Sequence, residues 1–304
     1  LVKNINFNFD IRENIYYIYN SKLSYRDNTF NSQKIEIIKK DNVKIQGEFE
    51  NDLNYSNMDF LNIFIDPGYI ENINDLKLFS KNNFSFFLDK KLKVKDLKIV
   101  SQIKLTKLYY KLNDINNIKM IDGRKNLIKL SDHSLKLSYK KDNILIDGEG
   151  EFSFNKNKDK ANYLFKKSKK GLLFNTNISI IKNPISLELL EYYKPSDERL
   201  DIAISGTLKK NGSLIIEKAN LLHKKNELSI LNLELDKEKN LNKLDSVLLN
   251  LSDENNYRNN LDIKRKKNRY FLKSKHFNGV KFIDKILKGE KNQKNNLFNK
   301  KDIE

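Results

Sequence analysis

NILIDGEGEFSF, residues 143–154, alternates apolar and polar side chains along most of its length. Successive side chains of an extended chain point to opposite faces. Ile144, Ile146, Gly148, Gly150, Phe152 and Phe154 therefore share one face, and Leu145, Asp147, Glu149, Glu151 and Ser153 share the other. The period of two predicts a strand. It also sets two glycines among isoleucines and phenylalanines on the face that should be packed. Glycine weakens a strand interior, and there it marks a bulge, a bend or a close approach by something else.

The pattern apolar-x-apolar-x-Gly occurs twice more. Val43, Ile45, Gly47 and Phe49 share a face in VKIQGEF, and Leu200, Ile202, Ile204, Gly206 and Leu208 share one in LDIAISGTL. The spacing of the three copies is irregular, which excludes a short-period solenoid. Two explanations stand: each glycine relieves curvature in a bent sheet, or each lets a guest molecule approach the backbone.

Most of the remaining chain repeats the strand signal. KIEIIKK (34–40) and VKIQGEFE (43–50) flank Asp41-Asn42, a two-residue hairpin turn. NNFSFFLD (82–89), KLKVKDLKIV (91–100), IKLTKLYYKL (103–112) and SLKLSYK (134–140) follow, and the series runs on to RYFLKSK (269–275). Short strands between turn signals predict an all-β architecture. Helix is expected only over 57–64 and over 280–289, where Val280, Phe282, Ile283, Ile286 and Leu287 form one stripe. The organisation read from this is an N-terminal β segment over 1–130, a second β region over 131–289 ending in a short helix, and a mobile tail over 290–304.

Composition narrows the function. The chain has 304 residues, 38% of them hydrophobic and 32% charged, with a formal net charge of +18. Aromatics at 11% argue for a folded chain with a thin core rather than a disordered one. The cations are overwhelmingly lysine and spread along the whole length, as an AT-rich genome would give. That speaks against a nucleic-acid partner, whose surfaces use arginine forks on one element. The densest cluster, Lys264, Arg265, Lys266, Lys267 and Arg269, reads as a solvated hairpin tip, with contact to an anionic membrane or polyanion as the sharper alternative. No cysteine is present. His133, His223 and His276 stand alone in sequence, and no metal-ligand spacing, catalytic triad or phosphate loop is recognisable. Neither an enzyme nor a cofactor is expected. No apolar run approaches the roughly 18 residues of a membrane span. The chain opens on Leu1, already inside a strand pattern, and is read as a piece of a longer protein.

Four segments in order, ILIDGEGEF, NPISLELLEYYKPSDERLDIAISGTL, ELSILNLELDKEKNLNKLDSVLLNL and NNLDIKRKKNRYFLKSKHFNGVKFIDKIL, resemble the C-terminal β-region of the AsmA-like superfamily, which includes TamB and YhdP. Tyr192-Tyr193-Lys194-Pro195 is similar to that family's aromatic-Lys-Pro turn. Phe277-Asn278-Gly279 through Leu287 is similar to its closing strand-to-helix step, although Ser274-Lys275 replaces the usual glycine. The resemblance covers residues 134–288. It implies an elongated, curved, taco-like antiparallel sheet whose apolar groove carries phospholipid between inner and outer membrane. It also implies a periplasmic location and an inner-membrane anchor outside this chain. The groove candidates are Val43, Ile45, Gly47, Phe49, Ile144, Ile146, Gly148, Gly150, Phe152, Phe154, Ile202, Ile204 and Gly206, each equally readable as core. Partners would be phospholipid acyl chains, the two membranes and envelope proteins. The alternative is a structural β-domain that supports outer-membrane assembly through protein contacts.

Overall fold

Strand alternation is realised almost everywhere. The computed structural model describes residues 2–25, 28–40, 42–54, 70–111, 127–154, 157–187, 192–252, 257–267 and 269–278, and every described element is a β-strand. Both expected helices, over 57–64 and 280–289, lie outside the described residues, as does the tail. The strands group into two compact units. One comprises Leu1–Asn113, Lys125–Phe152 and Lys166–Ser168; the other comprises Asp114–Arg124, Ser153–Phe165 and Lys169–Glu304.

Unit 1 is an antiparallel meander. Strands β1 (Val2–Arg12), β2 (Ile15–Tyr25), β3 (Asn28–Lys39), β4 (Val43–Asn54), β5 (Ile73–Leu88), β6 (Val94–Lys111) and β7 (Leu127–Lys140) pair each with the next. The opening stretch forms β8 (Asn143–Ser153). Segments 91–100 and 103–112, read from sequence as separate strands, are largely one: β6 continues unbroken through Ser101-Gln102. Leu53, Leu76 and Leu105 form a small buried cluster, backed by Ile73, Leu78, Leu108, Leu130 and Leu135.

Unit 2 is built the same way. It contains β9 (Asp159–Ser168, whose last residues belong to unit 1), β10 (Gly171–Ile180), β13 (Leu200–Lys209), β14 (Leu214–His223), β15 (Asn226–Leu235), β17 (Ser246–Ser252), β18 (Arg258–Lys266) and β19 (Arg269–Lys273). From β10 onward each of these is antiparallel to the next. The short β16 (Leu241–Lys243) pairs with β15. Between β10 and β13 the chain makes a separate hairpin of β11 (Ile185–Leu187) and β12 (Tyr192–Lys194).

Candidate functional site

Directly opposed residues of an antiparallel pair share a face, so the registers show what each face displays. In unit 1 one row runs Phe9, Ile18, Ile35, Gly47, Phe84 and Ile99 across six strands. A parallel row runs Ile11, Tyr16, Ile37, Ile45 and Phe86. In unit 2 one row runs Ile178, Ile202, Leu221, Leu228, Leu249 and Leu261. Beside it lies Ile204, Ala219, Ile230, Val247, Ile263 and Leu272. Each unit thus carries a continuous apolar face several strands wide.

Those faces are only partly covered. Val43, Ile45, Gly47 and Phe49 on β4 are half-buried, and so are Ile144, Ile146 and Gly150 on β8, Phe154 just beyond it, and Ile202 and Ile204 on β13. Gly148, Phe152 and Gly206 are buried. The alternation is realised in β8, where Leu145, Asp147 and Glu149 are exposed between half-buried or buried neighbours. The candidates fall in both units: those up to Phe152 in unit 1, and Phe154, Ile202, Ile204 and Gly206 in unit 2.

Three of the glycines face their own neighbouring strands. Gly47 is opposed on one side by Phe84 and on the other by Ile35, beside a bulge in β3. Gly206 is opposed by Phe174 on one side and by Ile216 on the other, beside a bulge in β14. A Cβ at Gly47 would stand 2.7 Å from the Lys34 carbonyl oxygen, and one at Gly206 would stand 2.2 Å from that of Ile215 and 2.8 Å from the Phe174 ring. A bulge tightens the local twist and pushes backbone toward its partner, and each glycine takes up that approach. At Gly150 the close neighbour is the side chain of His133.

The unit 1 face also holds a polar band. Asn51, Ser80, Asn82 and Ser101 are buried on neighbouring strands between the apolar rows and the leucine cluster. Ser80 Oγ donates to Asn51 Oδ1 at 2.5 Å. Asn82 Nδ2 lies 2.8 Å from Ser80 Oγ and 3.2 Å from both Asn51 Oδ1 and the Phe49 carbonyl. These are the residues that break the apolar alternation in the sequence. For Asn51, Ser80 and Asn82, bonding to one another is what allows burial.

Unit 2 contains a second polar cluster that no sequence spacing announces. Tyr192 and Lys194, from the aromatic-Lys-Pro turn, are both fully buried. Tyr192 OH and His223 Nδ1 share a hydrogen bond of 2.7 Å, and His223 Nε2 donates to Glu198 Oε2 at 2.7 Å. Lys224 Nζ reaches the other oxygen of the same carboxylate at 2.5 Å. Lys224 first, and His223 second, hold the Glu198 carboxyl below its ordinary range by hydrogen bonding, while burial pushes the Tyr192 phenol up.

Lys194 Nζ donates to the carbonyls of Ile181 and Asn183 at 2.8 and 2.7 Å, and burial lowers its proton affinity. The Asp159 carboxylate binds the same turn from its amide side, accepting from the backbone N–H of Ile181, Lys182 and Asn183 and from Asn183 Nδ2. A cation on the carbonyls and an anion on the amides thus fix residues 181–183. The chemistry is structural: an imidazole between a phenol and a carboxylate, with its nitrogens engaged, ties β12 and β14 to the turn at Glu198.

Among the described residues, no group of three or more His, Cys, Asp or Glu is placed to hold a metal ion, and no helix is long and apolar enough to cross a membrane. No family model, curated protein or solved structure matches this chain.

Proposed function

We propose that this chain is a segment of a periplasmic, inner-membrane-anchored protein that passes phospholipids between the inner and outer membranes, with acyl chains lying on its apolar sheet faces. The supporting observation is the set of apolar rows that cross five or six strands in each unit, most of their residues only half-buried. In a sealed sandwich such residues are covered by a second layer. Here, among the described residues, the sheet pairing outside the long ladders is the short β11–β12 hairpin. Each acyl methylene transferred from water to such a surface gains about 0.8 kcal/mol, so a lipid tail laid along a row binds without any specific pocket. The resemblance to AsmA-like proteins points the same way. The action is passive: tails on the apolar face, headgroups in water, and no covalent step.

The test is native mass spectrometry with lipid extraction, on the chain exported to the periplasm of a Gram-negative host. Phospholipid in a defined ratio, lost in Ile146→Asp and Ile204→Asp while circular dichroism keeps its strand signal, is the expected result. A folded, lipid-free wild-type chain would overturn the proposal and leave the structural assembly domain in its place.

A further inference from the structure

In a meander, every second turn falls at the same end of the sheet, and in both units that end is lined with lysine. In unit 1 the β1–β2, β3–β4, β5–β6 and β7–β8 turns share an end; the first carries Arg12 and Glu13, and the other three carry Lys39-Lys40, Lys90-Lys91 with Lys93, and Lys140-Lys141. In unit 2 the β13–β14, β15–β16 and β18–β19 turns share an end, with Lys209-Lys210, Lys237 and Lys239, and Lys266-Lys267 with Arg269. Three of these turns have one construction. In 89–93, 209–213 and 236–240, the first residue's N–H bonds the fifth residue's carbonyl, and the fourth residue's N–H bonds the first residue's carbonyl. The fourth residue is left-handed in each, as Leu92, Gly212 and Lys239.

Lysine is an uncomfortable choice for such a position. Lys141, Lys239 and Lys267 sit at φ of 23°, 68° and 56°, where glycine or asparagine is better tolerated. Asparagine is abundant in this chain, so a bias toward A-rich codons does not explain lysine in its place. Of the turn carboxylates, Glu238 pairs with Lys237 at 3.3 Å and Asp89 lies 3.8 Å from Lys95. Asp89 accepts the backbone N–H of Lys91 and Lys93, and Asp236 accepts from Asn240. Among the described residues, no carboxylate stands within ion-pair distance of Lys209, Lys210, Lys239, Lys267 or Arg269. At the opposite end of unit 2, Lys224 pairs with Glu198 and Arg199 with Asp201.

The cationic turns also expose apolar side chains. Leu92 is 75% exposed beside Lys91 and Lys93, and Leu272, at 67%, follows Tyr270 and Phe271 on β19. Lys266 Nζ lies over the Phe271 ring, 5.5 Å from its centroid. We propose that the lysine-rich end of each unit is a docking rim for an anionic phospholipid bilayer, the cations meeting headgroup phosphates while Leu92 in unit 1, and Tyr270 and Phe271 in unit 2, enter the interface. A phosphodiester backbone would satisfy the charge but offers nothing to Leu92 and Phe271, whereas an interfacial bilayer zone accepts both. Docking at that end would set the strands of the docked unit end-on to the membrane. It does not rest on acyl binding, because adsorption to intact vesicles and extraction of lipid are separate readouts.

The test is vesicle co-sedimentation of the full chain at physiological salt, using phosphatidylcholine with and without phosphatidylglycerol. The wild type should sediment only with the anionic vesicles. Neutralising five rim cations (Lys209, Lys210, Lys239, Lys267 and Arg269, each to Gln) should weaken binding by at least about a hundredfold, given roughly 1 kcal/mol per basic residue at such a surface. Neutralising five exposed mid-strand lysines (Lys77, Lys104, Lys136, Lys160 and Lys218) removes the same charge and should leave binding within about twofold. Equal loss in both variants would overturn the rim in favour of net charge alone. If Leu92→Ser with Phe271→Ser leaves vesicle binding intact and a DNA duplex competes at equal charge, the surface is a polyanion site and the bilayer assignment fails.

Discussion

Gly150 lies directly beneath the imidazole of His133: a Cβ on Gly150 would stand 2.3 Å from His133 Cγ and 2.7 Å from its Cα. His133 is buried on β7, and its Nε2–H donates to the Glu151 carbonyl of β8 at 2.8 Å. The glycine makes room for a histidine that locks two strands together. Gly150→Ala should therefore destabilise unit 1 by about 1–3 kcal/mol through overpacking, read as a lower denaturation midpoint. An unchanged midpoint would show that the ring moves aside at no cost.

The same histidine makes stability pH-dependent. Burial is the main influence and lowers its proton affinity below the ordinary 6.5, opposed by the Glu151 carbonyl and by the charges of Asp132 and Glu151. The unfolded chain then binds the proton more tightly than the folded one. The stabilisation is complete above pH 6.5 and is lost as pH falls through that value toward the folded one. Thermal melts taken between about pH 7.5 and 5.5 should show this loss, and His133→Gln should flatten it.

In unit 2, removing the Tyr192 hydroxyl strands a buried nitrogen of His223. Tyr192→Phe should cost about 1–3 kcal/mol, with the strand content unchanged. Glu198, held below its ordinary 4.5, adds stability that is present above that pH and disappears as pH falls through the folded value. Glu198→Gln should remove this acid limb from the melting profile.

Asp159 accepts three backbone N–H groups of one turn, so its loss is not a surface change. Asp159→Ala should destabilise unit 2 by about 1–3 kcal/mol, because the buried Asn183 amide and the partly buried amides of Ile181 and Lys182 are left without this acceptor. Hydrogen exchange checks this directly: protection at Ile181, Lys182 and Asn183 should collapse before protection in β14.

The polar band of unit 1 separates two kinds of cost. Asn82→Ala alone should destabilise by about 1–3 kcal/mol, since it leaves Asn51 and Ser80 partly unsatisfied in a buried setting. Replacing Asn51, Ser80 and Asn82 together by Leu, Ala and Leu should be close to neutral, because no polar atom of that set is then orphaned. Denaturation of both variants distinguishes the cases. A triple variant worse than the single one would show that the band fixes strand register.

The sequence by itself determined the strands and the faces. Alternation has a period of two because of backbone geometry alone, so the common face of Ile144 to Phe152, the face of Val43 to Phe49 and that of Leu200 to Leu208 could be read without coordinates. The lysine pairs at the turns were visible too, but their shared end was not, since that depends on which turns alternate once strands pair in order. The split between 91–100 and 103–112 fell at Ser101-Gln102, inside β6, because polarity in a linear pattern carries no record of a partner strand. Only the tertiary structure decided what sits over Gly150, what faces Gly47 and Gly206, and that Glu198 meets His223 from 25 positions away. Such relations are set by register and bulges across strands, where one residue of slip changes every neighbour.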